Sequence, residues 1–281
     1  MKQIHVTMLF TLTLLMLLNA CNRDTAPPPV LPTEIDSPAQ AGTEIFQTQN
    51  APPVGFREPL TFSSIDANLE LLPNWRYEMT MDFTGVFAGT PREAQVTTRV
   101  EVSYNQLDTS RRVIVQAEGI LVGEEQQEAI QREGVRLGPD TFLVPRDNTC
   151  QTDAGEDAVT LADFRVSDLI GGVNLARSTS INGVINGEDV WRYEFTADDL
   201  NLLGVRMGSN SRIVNLSGEL WVSAQHNAVI RYWLTMDVES VVVSVLSENP
   251  DSALPVTGQI IIRYDVFDIG INPNISQPFG C

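Results

Sequence analysis

The stretch GELWVSAQHNAVIRYWLTM, residues 218–236, holds two alternating runs joined at a polar turn, and its reading decides the fold. After His226-Asn227, residues Ile230, Tyr232, Leu234, Met236 and Val238 alternate with Arg231, Trp233, Thr235 and Asp237. A period of two sends successive side chains to opposite faces. This is therefore a strand with one buried and one wet face, paired antiparallel with the run before it. Working outward, the pattern recurs. Trp191, Tyr193 and Phe195 alternate with Arg192 and Glu194, shortly after Asn186-Gly187, a dipeptide suited to a two-residue hairpin. Val96, Thr98, Val100, Val102 and Tyr104 form another such run, and Trp75, Tyr77, Met79, Met81 and Phe83 a third. Ile260, Ile262, Tyr264 and Val266 close the series. The inward set is Trp75, Tyr77, Met79, Met81, Trp191, Tyr193, Phe195, Ile230, Tyr232, Leu234 and Met236, and a register slip of one residue would invert all of it.

Helical spacing is scarce. Phe62, Ile65, Leu69 and Leu72 predict a helix over 62–72, stopped by Pro73. Leu161, Phe164, Leu169 and Ile170 predict one over 161–170, ended by Gly171-Gly172. Residues 198–204 read as one or two turns capped by Asp198, and Val241 to Leu246 as an apolar run that extends a strand or forms a neighbouring one. The fold class that accommodates this order is α+β and β-rich: one large curved antiparallel sheet, a half-barrel, with a few helices covering its concave face. Residues 60–281 are long enough for one sizeable core and show no internal break.

Residues 1–59 are of another kind. Lys2 and the amino terminus precede an apolar stretch from Val6 to Leu18, thirteen residues long, too short for the about 20 needed to span a bilayer and suited to the core of an export signal. It ends Leu18-Asn19-Ala20-Cys21, which resembles the bacterial lipobox, with Asn19 departing from the usual small residue. The resemblance implies a lipoprotein signal over 1–20 and diacylglycerol on the Cys21 thiol; the alternative is an ordinary cleaved signal with an incidental cysteine. Eight prolines between Asn22 and Pro59, half of the chain's sixteen, favour extended unpaired backbone, so 21–59 is read as a lipidated cysteine followed by a flexible tether. The expected location is the cell envelope: an extracytoplasmic domain anchored to the outer face of the cytoplasmic membrane or to an outer membrane.

Charge and cysteine content narrow the function. Lys2 is the only lysine, so without it 17 basic residues face 36 acidic ones, which argues against nucleic acid and against electrostatic docking on anionic headgroups. With Cys21 assigned to lipid, Cys150 and Cys281 are an even pair in an exported protein and a candidate disulfide. Beyond residue 20 there is one histidine, His226, in an expected exposed turn, so neither a Ser-His-Asp triad nor a multi-histidine metal site can be assembled. Phosphate-loop and nucleophile-elbow motifs are missing from the sequence. Asp237 with Glu239, and Asp198 with Asp199, are conceivable carboxylate pairs, but in so acidic a chain they read as solvated loops and caps. No enzyme, cofactor or metal is expected.

The lipobox and tether, the Trp75-x-Tyr77-x-Met79 strand, the NGEDVWRYEFTADDL hairpin (residues 186–200), the GELWVSAQHNAVIRYWLTM pair and the later GQIIIRYDVFDIG (residues 258–270) together resemble lipoproteins of the LolA/LolB and LppX/LprG kind. That resemblance implies a half-barrel around a cavity that carries acyl chains or whole lipids, with the eleven inward residues lining it, a lipid as partner and the membrane reached through Cys21. The alternative is a structural or interaction lipoprotein of the envelope with a packed core and a protein partner; a hydrolase of unfamiliar design comes third. The first two differ in one quantity, an open apolar cavity of several hundred Å³ against a core at ordinary density.

Overall fold

The computed structural model describes residues 53, 55–122, 130–145, 149–151, 155–244 and 254–281. The expected leader, Cys21 and most of the tether lie outside the described residues, as do Val245 and Leu246. In chain order the strands are β1 (Leu60–Phe62), β2 (Asn74–Phe87), β3 (Glu93–Asn105), β4 (Ser110–Glu118), β5 (Ile130–Leu137) and β6 (Asp140–Val144). Helices α1 (Glu156–Ala162) and α2 (Ser167–Ile170) intervene. Then follow β7 (Gly172–Ile185), β8 (Glu188–Glu194), β9 (Leu200–Asn201), β10 (Val205–Arg206), β11 (Arg212–Ser223), β12 (Ala228–Val243) and β13 (Val256–Phe267).

All pairings between these strands are antiparallel, in the order β1-β7-β8-β11-β12-β13-β2-β3-β4-β5-β6, with β9 on β7 and β10 on β12. The path has two ends and does not close, so the sheet is a half-barrel. The two-residue turn at Asn186-Gly187 has both residues at positive φ, 53° and 88°, which the right-handed twist of a tight hairpin demands. The β11–β12 turn falls at residues 224–227, with Asn227 at φ 49°.

Register turns the alternation into rows across the sheet. One row runs Tyr193, Leu220, Tyr232, Tyr264, Met79, Val100 and Val115, from β8 to β4. The next runs Leu234, Ile262, Met81, Thr98 and Ala117. Every residue named in the two rows is at most 6% exposed and faces inward. The opposite face carries the charges: Arg231 Nε donates to Asp265 at 2.6 Å, Trp233 Nε1 donates to the other oxygen of the same carboxylate at 2.9 Å, and Arg231 lies 4.1 Å over the Trp233 ring. Trp233 thus tolerates the wet face by stacking under guanidinium.

The helices differ from expectation in detail. Over 62–72 there is no α-helix, only β1 and a short 3-10 turn, Leu69–Leu71, because Asn68 adopts a left-handed φ of 68°. Phe62, Ile65, Leu69 and Leu72 are nevertheless all buried, at 0–2% exposure. The expected 161–170 helix is two helices, broken between Ala162 and Ser167. Helix α1 lies on β5 and β6 over the inner face; a Cβ on Gly134 of β5 would stand 2.8 Å from the Ala162 nitrogen, so glycine lets the helix sit against the strand. Over 198–204 the helical part is a 3-10 turn, Ala197–Asp199, and its cap is Thr196, not Asp198. Cys150 and Cys281 form a disulfide, with Cα atoms 5.3 Å apart.

Candidate functional site

Trp75, Tyr77, Met79, Met81, Trp191, Tyr193, Phe195, Ile230, Tyr232, Leu234 and Met236 all belong to one core and are 0–8% exposed. Aromatic rings cross the middle of this face: Trp75 and Tyr77 stack with centroids 5.4 Å apart, Tyr77 meets Tyr264 at 5.3 Å, and Phe195 meets Tyr232 at 5.7 Å. Phe195 lies over Gly218, where a Cβ would stand 2.4 Å from its ring. The inner face is occupied by its own side chains at these points.

Four tyrosines on this face are fully buried, and burial pushes all four hydroxyls up from their ordinary range, that of Tyr193 to about 12. All four are neutral at physiological pH. Tyr193 donates to the Phe56 carbonyl at 2.6 Å, and the Tyr77 oxygen accepts from the Val166 N–H at 3.3 Å. The hydroxyls of Tyr232 and Tyr264, and that of Thr98, have no hydrogen-bond partner. A buried polar group left unsatisfied costs about 1–3 kcal/mol.

An open concavity lies at one corner of the half-barrel. It is a groove of about 310 Å³, lined by Ala197, Asp198, Leu200, Leu202, Val205, Met207 and Ile213. Its walls come from a strap: β9 pairs with the start of β7, and β10 with the end of β12, so residues 200–206 pass between strands that β8 and β11 separate. Two glycines bring the strap close. Gly204 donates to the Leu169 carbonyl at 2.6 Å, and Gly171, at φ 63°, leaves no room for a Cβ, which would stand 1.6 Å from the Asn201 oxygen. Val205 belongs to the core, Leu200, Leu202 and Ile213 pack against it, and Leu203, Met207 and Val214 are about half exposed, at 46–53%. Five of the seven lining residues are large and apolar, and Asp198 supplies the acidic edge.

None of these groove residues was singled out by periodicity, because all but Ile213, at the start of β11, belong to loops, a 3-10 turn and two-residue strands that carry no period. The signal that marked them is composition: Leu200, Leu202, Leu203 and Met207 put large apolar side chains in a segment with no regular element long enough to bury them.

Three of the four acidic candidates are engaged elsewhere. Asp199 Oδ2 accepts from Arg177 at 2.8 Å and from the Thr196 hydroxyl and N–H at 2.7 and 2.8 Å. These contacts, Arg177 first, lower its carboxyl from 3.8 to about 2. A depressed folded value stabilises the fold above the unfolded value, and the contribution fades as pH falls through the folded one. Asp199→Asn is therefore expected to be less stable than the parent at neutral pH, with the gap narrowing as pH falls from 3.8 to about 2; acid unfolding followed by circular dichroism checks it, and a constant gap would count against the assignment. Asp237 accepts from Asn215 and Gln259, which lower its carboxyl, and Glu239 pairs with Arg212 at 2.7 Å. His226 is half-buried rather than exposed, with Nε2 3.4 Å from Glu188. Among the described residues no three His, Cys, Asp or Glu side chains gather as metal ligands.

No protein-family model matches the chain, and no curated protein sequence does. Among solved structures the outcome is different. The chain is similar to a LolA superfamily protein. That protein, from Nitrosomonas europaea, shares 10% identity over 78% of this chain and 96% of its own, with a TM-score of 0.22. A DUF1329 family protein from Desulfovibrio piger shares 10% identity over 75% of this chain and 90% of its own, with a TM-score of 0.21.

Proposed function

We propose that this is an exported, lipid-anchored envelope protein that binds an apolar ligand, a lipid or an acylated molecule, through its half-barrel. The observation that carries the reading is the corner groove: about 310 Å³, at the lower end of the ~300–1,000 Å³ of small-molecule sites, mostly apolar, continuous with the core and rimmed by half-exposed Leu203 and Met207. Burial of hydrocarbon supplies the affinity, and rim residues such as Asp198 set which head group is tolerated. Cys21 and the proline-rich segment fit the same reading, since an acyl anchor with a long tether holds a binder near the membrane that supplies its ligand.

The test is native mass spectrometry of the chain from Asn22 onward, exported behind an ordinary cleavable leader and purified without detergent, followed by solvent extraction. A co-purified lipid of defined mass is expected. Leu202→Glu, which puts a charge in the groove wall, is expected to abolish that mass while leaving the fold in place. A clean protein mass with no uptake of a fluorescent acyl probe would overturn the reading.

A second reading, an interaction lipoprotein that docks a protein partner, is favoured by the near-complete burial of the eleven inner-face residues, 0–8% exposed. A clean protein mass is its expected result.

A further inference from the structure

Three of the four carboxylates weighed as acid pairs have partners. Asp199 is held by Arg177 and Thr196, Asp237 by Asn215 and Gln259, and Glu239 by Arg212. Asp198 is the fourth, and it is different: its side chain is exposed, and among the described residues nothing donates to its carboxylate or pairs with it. It is also the one charged side chain among the seven residues that line the corner groove.

The fold holds this carboxylate in place. Asp198 is the middle residue of the 3-10 turn Ala197–Asp199, which is braced by the reciprocal bonds between Thr196 and Asp199 and by Arg177. The next two residues, Leu200 and Asn201, form β9 and pair with β7. The charge therefore stands on fixed backbone at the edge of a wall made by Leu200, Leu202, Val205, Met207 and Ile213. The neighbouring arginines do not balance it. Arg212, beside Ile213, pairs with Glu239 at 2.7 Å, Arg177 with Asp199 at 2.8 Å, and Arg206 is not among the residues that line the groove. What the groove offers is an apolar wall with one uncompensated negative charge at its edge.

We infer that Asp198 selects the head group at this groove, and that the amphiphile it favours is cationic, a primary ammonium on a hydrocarbon chain, over an anionic one of equal chain length. The chemistry is complementary at both ends. Hydrocarbon meets the apolar wall, and an ammonium brings three donors to a carboxylate that only accepts. An anionic head at the same edge meets like charge and finds no donor side chain among the lining residues. The carboxylate is open to water, so the pair is worth the modest amount of an exposed ion pair and weakens with salt. The chain's net charge of −18 acts in the same direction at longer range, so the local contribution has to be separated from it by substitution. The inference rests on the carrier reading above and adds the charge of the ligand to it.

The test uses the same exported chain with three probes of one chain length, dodecylamine, dodecanol and dodecanoate, at equal concentration, below micelle formation and at low ionic strength. Native mass spectrometry is expected to show dodecylamine favoured over dodecanoate about fivefold, the worth of one exposed ion pair, with dodecanol between them. In Asp198→Asn that ratio is expected to fall to about twofold or less, with dodecanol uptake and the melting temperature unchanged. Glu101→Gln removes an exposed charge from β3, three strands from β12, and is expected to keep the parent's ratio. A parent that takes dodecanoate as readily as the amine, an undiminished ratio in Asp198→Asn, or an equal fall in Glu101→Gln would overturn the inference and leave the carrier reading standing. Uptake of none of the three probes by the parent would overturn both.

Discussion

Replacing Cys150 and Cys281 by serine is expected to destabilise the domain by about 5 kcal/mol and to lower its melting temperature by about 10–20 °C. The bridge closes a loop of 131 residues, and in the chain-entropy account a loop of that length confers most of what one disulfide can. Its position adds to the effect. The segment after β13 has no regular structure, and few hydrogen bonds hold it to the end of the sheet: Gly270 N–H to the Asn74 carbonyl at 3.0 Å and Asn105 Nδ2 to Asn272 at 2.6 Å. Ile269 packs against the core, but beyond it Ile271 and Phe279 are exposed at 62% and 99%, so apolar burial holds only the start of the tail. Thermal melts of the double variant, and of the parent with and without reductant, measure the contribution. A loss of only two or three degrees in both would show that the tail is fixed by something other than the bridge.

The second large effect is expected at Gly171. A methyl group there meets the backbone oxygen of Asn201 at 1.6 Å, and the residue's φ of 63° penalises any L side chain independently. Neither term is relieved by rotating a side chain, because the neighbour is backbone. Gly171→Ala is expected to cost about 3 kcal/mol and to push the strap off the end of α2. That predicts two linked readouts: a lower denaturation midpoint, and faster hydrogen exchange confined first to residues 200–206. Gly138, at φ 58° with no atom within 4 Å of its Cβ position, is the control for φ without the clash, and its alanine variant should lose less. Equal losses at the two sites would remove the packing part of the argument.

The sheet was legible because a half-buried strand writes itself into sequence. From Trp75 to Phe83 and from Ile230 to Val238 the alternation decides which side chains go in, and every inward residue so identified is buried. The turn at Asn186-Gly187 was legible for a separate reason, since few dipeptides tolerate two successive positive φ values. The 62–72 segment shows the limit. Its apolar spacing encoded burial correctly and helix wrongly, because Phe62 is drawn into β1 against Val173 and Asn68 turns left-handed, while the same four side chains still reach the core. The groove left no periodic signal, only the apolar composition of residues 200–207. It depends on a strap that joins β7 to β12, on carbonyls that approach glycines, and on residues of loops, none of which leaves a repeating trace. The unpartnered hydroxyls of Tyr232 and Tyr264 were equally invisible, for sequence shows where a tyrosine faces but not what its oxygen meets.

The sheet order has a consequence for how such a chain is made. Strand β13, which follows all the other strands in chain order, is not at an edge: it lies between β12 and β2, pairing along its full length with the first long strand. Until it arrives, the β2–β6 meander and the β7–β12 portion are two separate sheets, each with a long bare edge at β2 and β12. Such edges are templates for pairing with other chains. Emergence and closure are thus coupled, and a chain that stops short of residue 256 lacks not a tail but the seam that joins its two halves. In the cell, truncated or stalled products should go to proteases or aggregates rather than to a partly working protein.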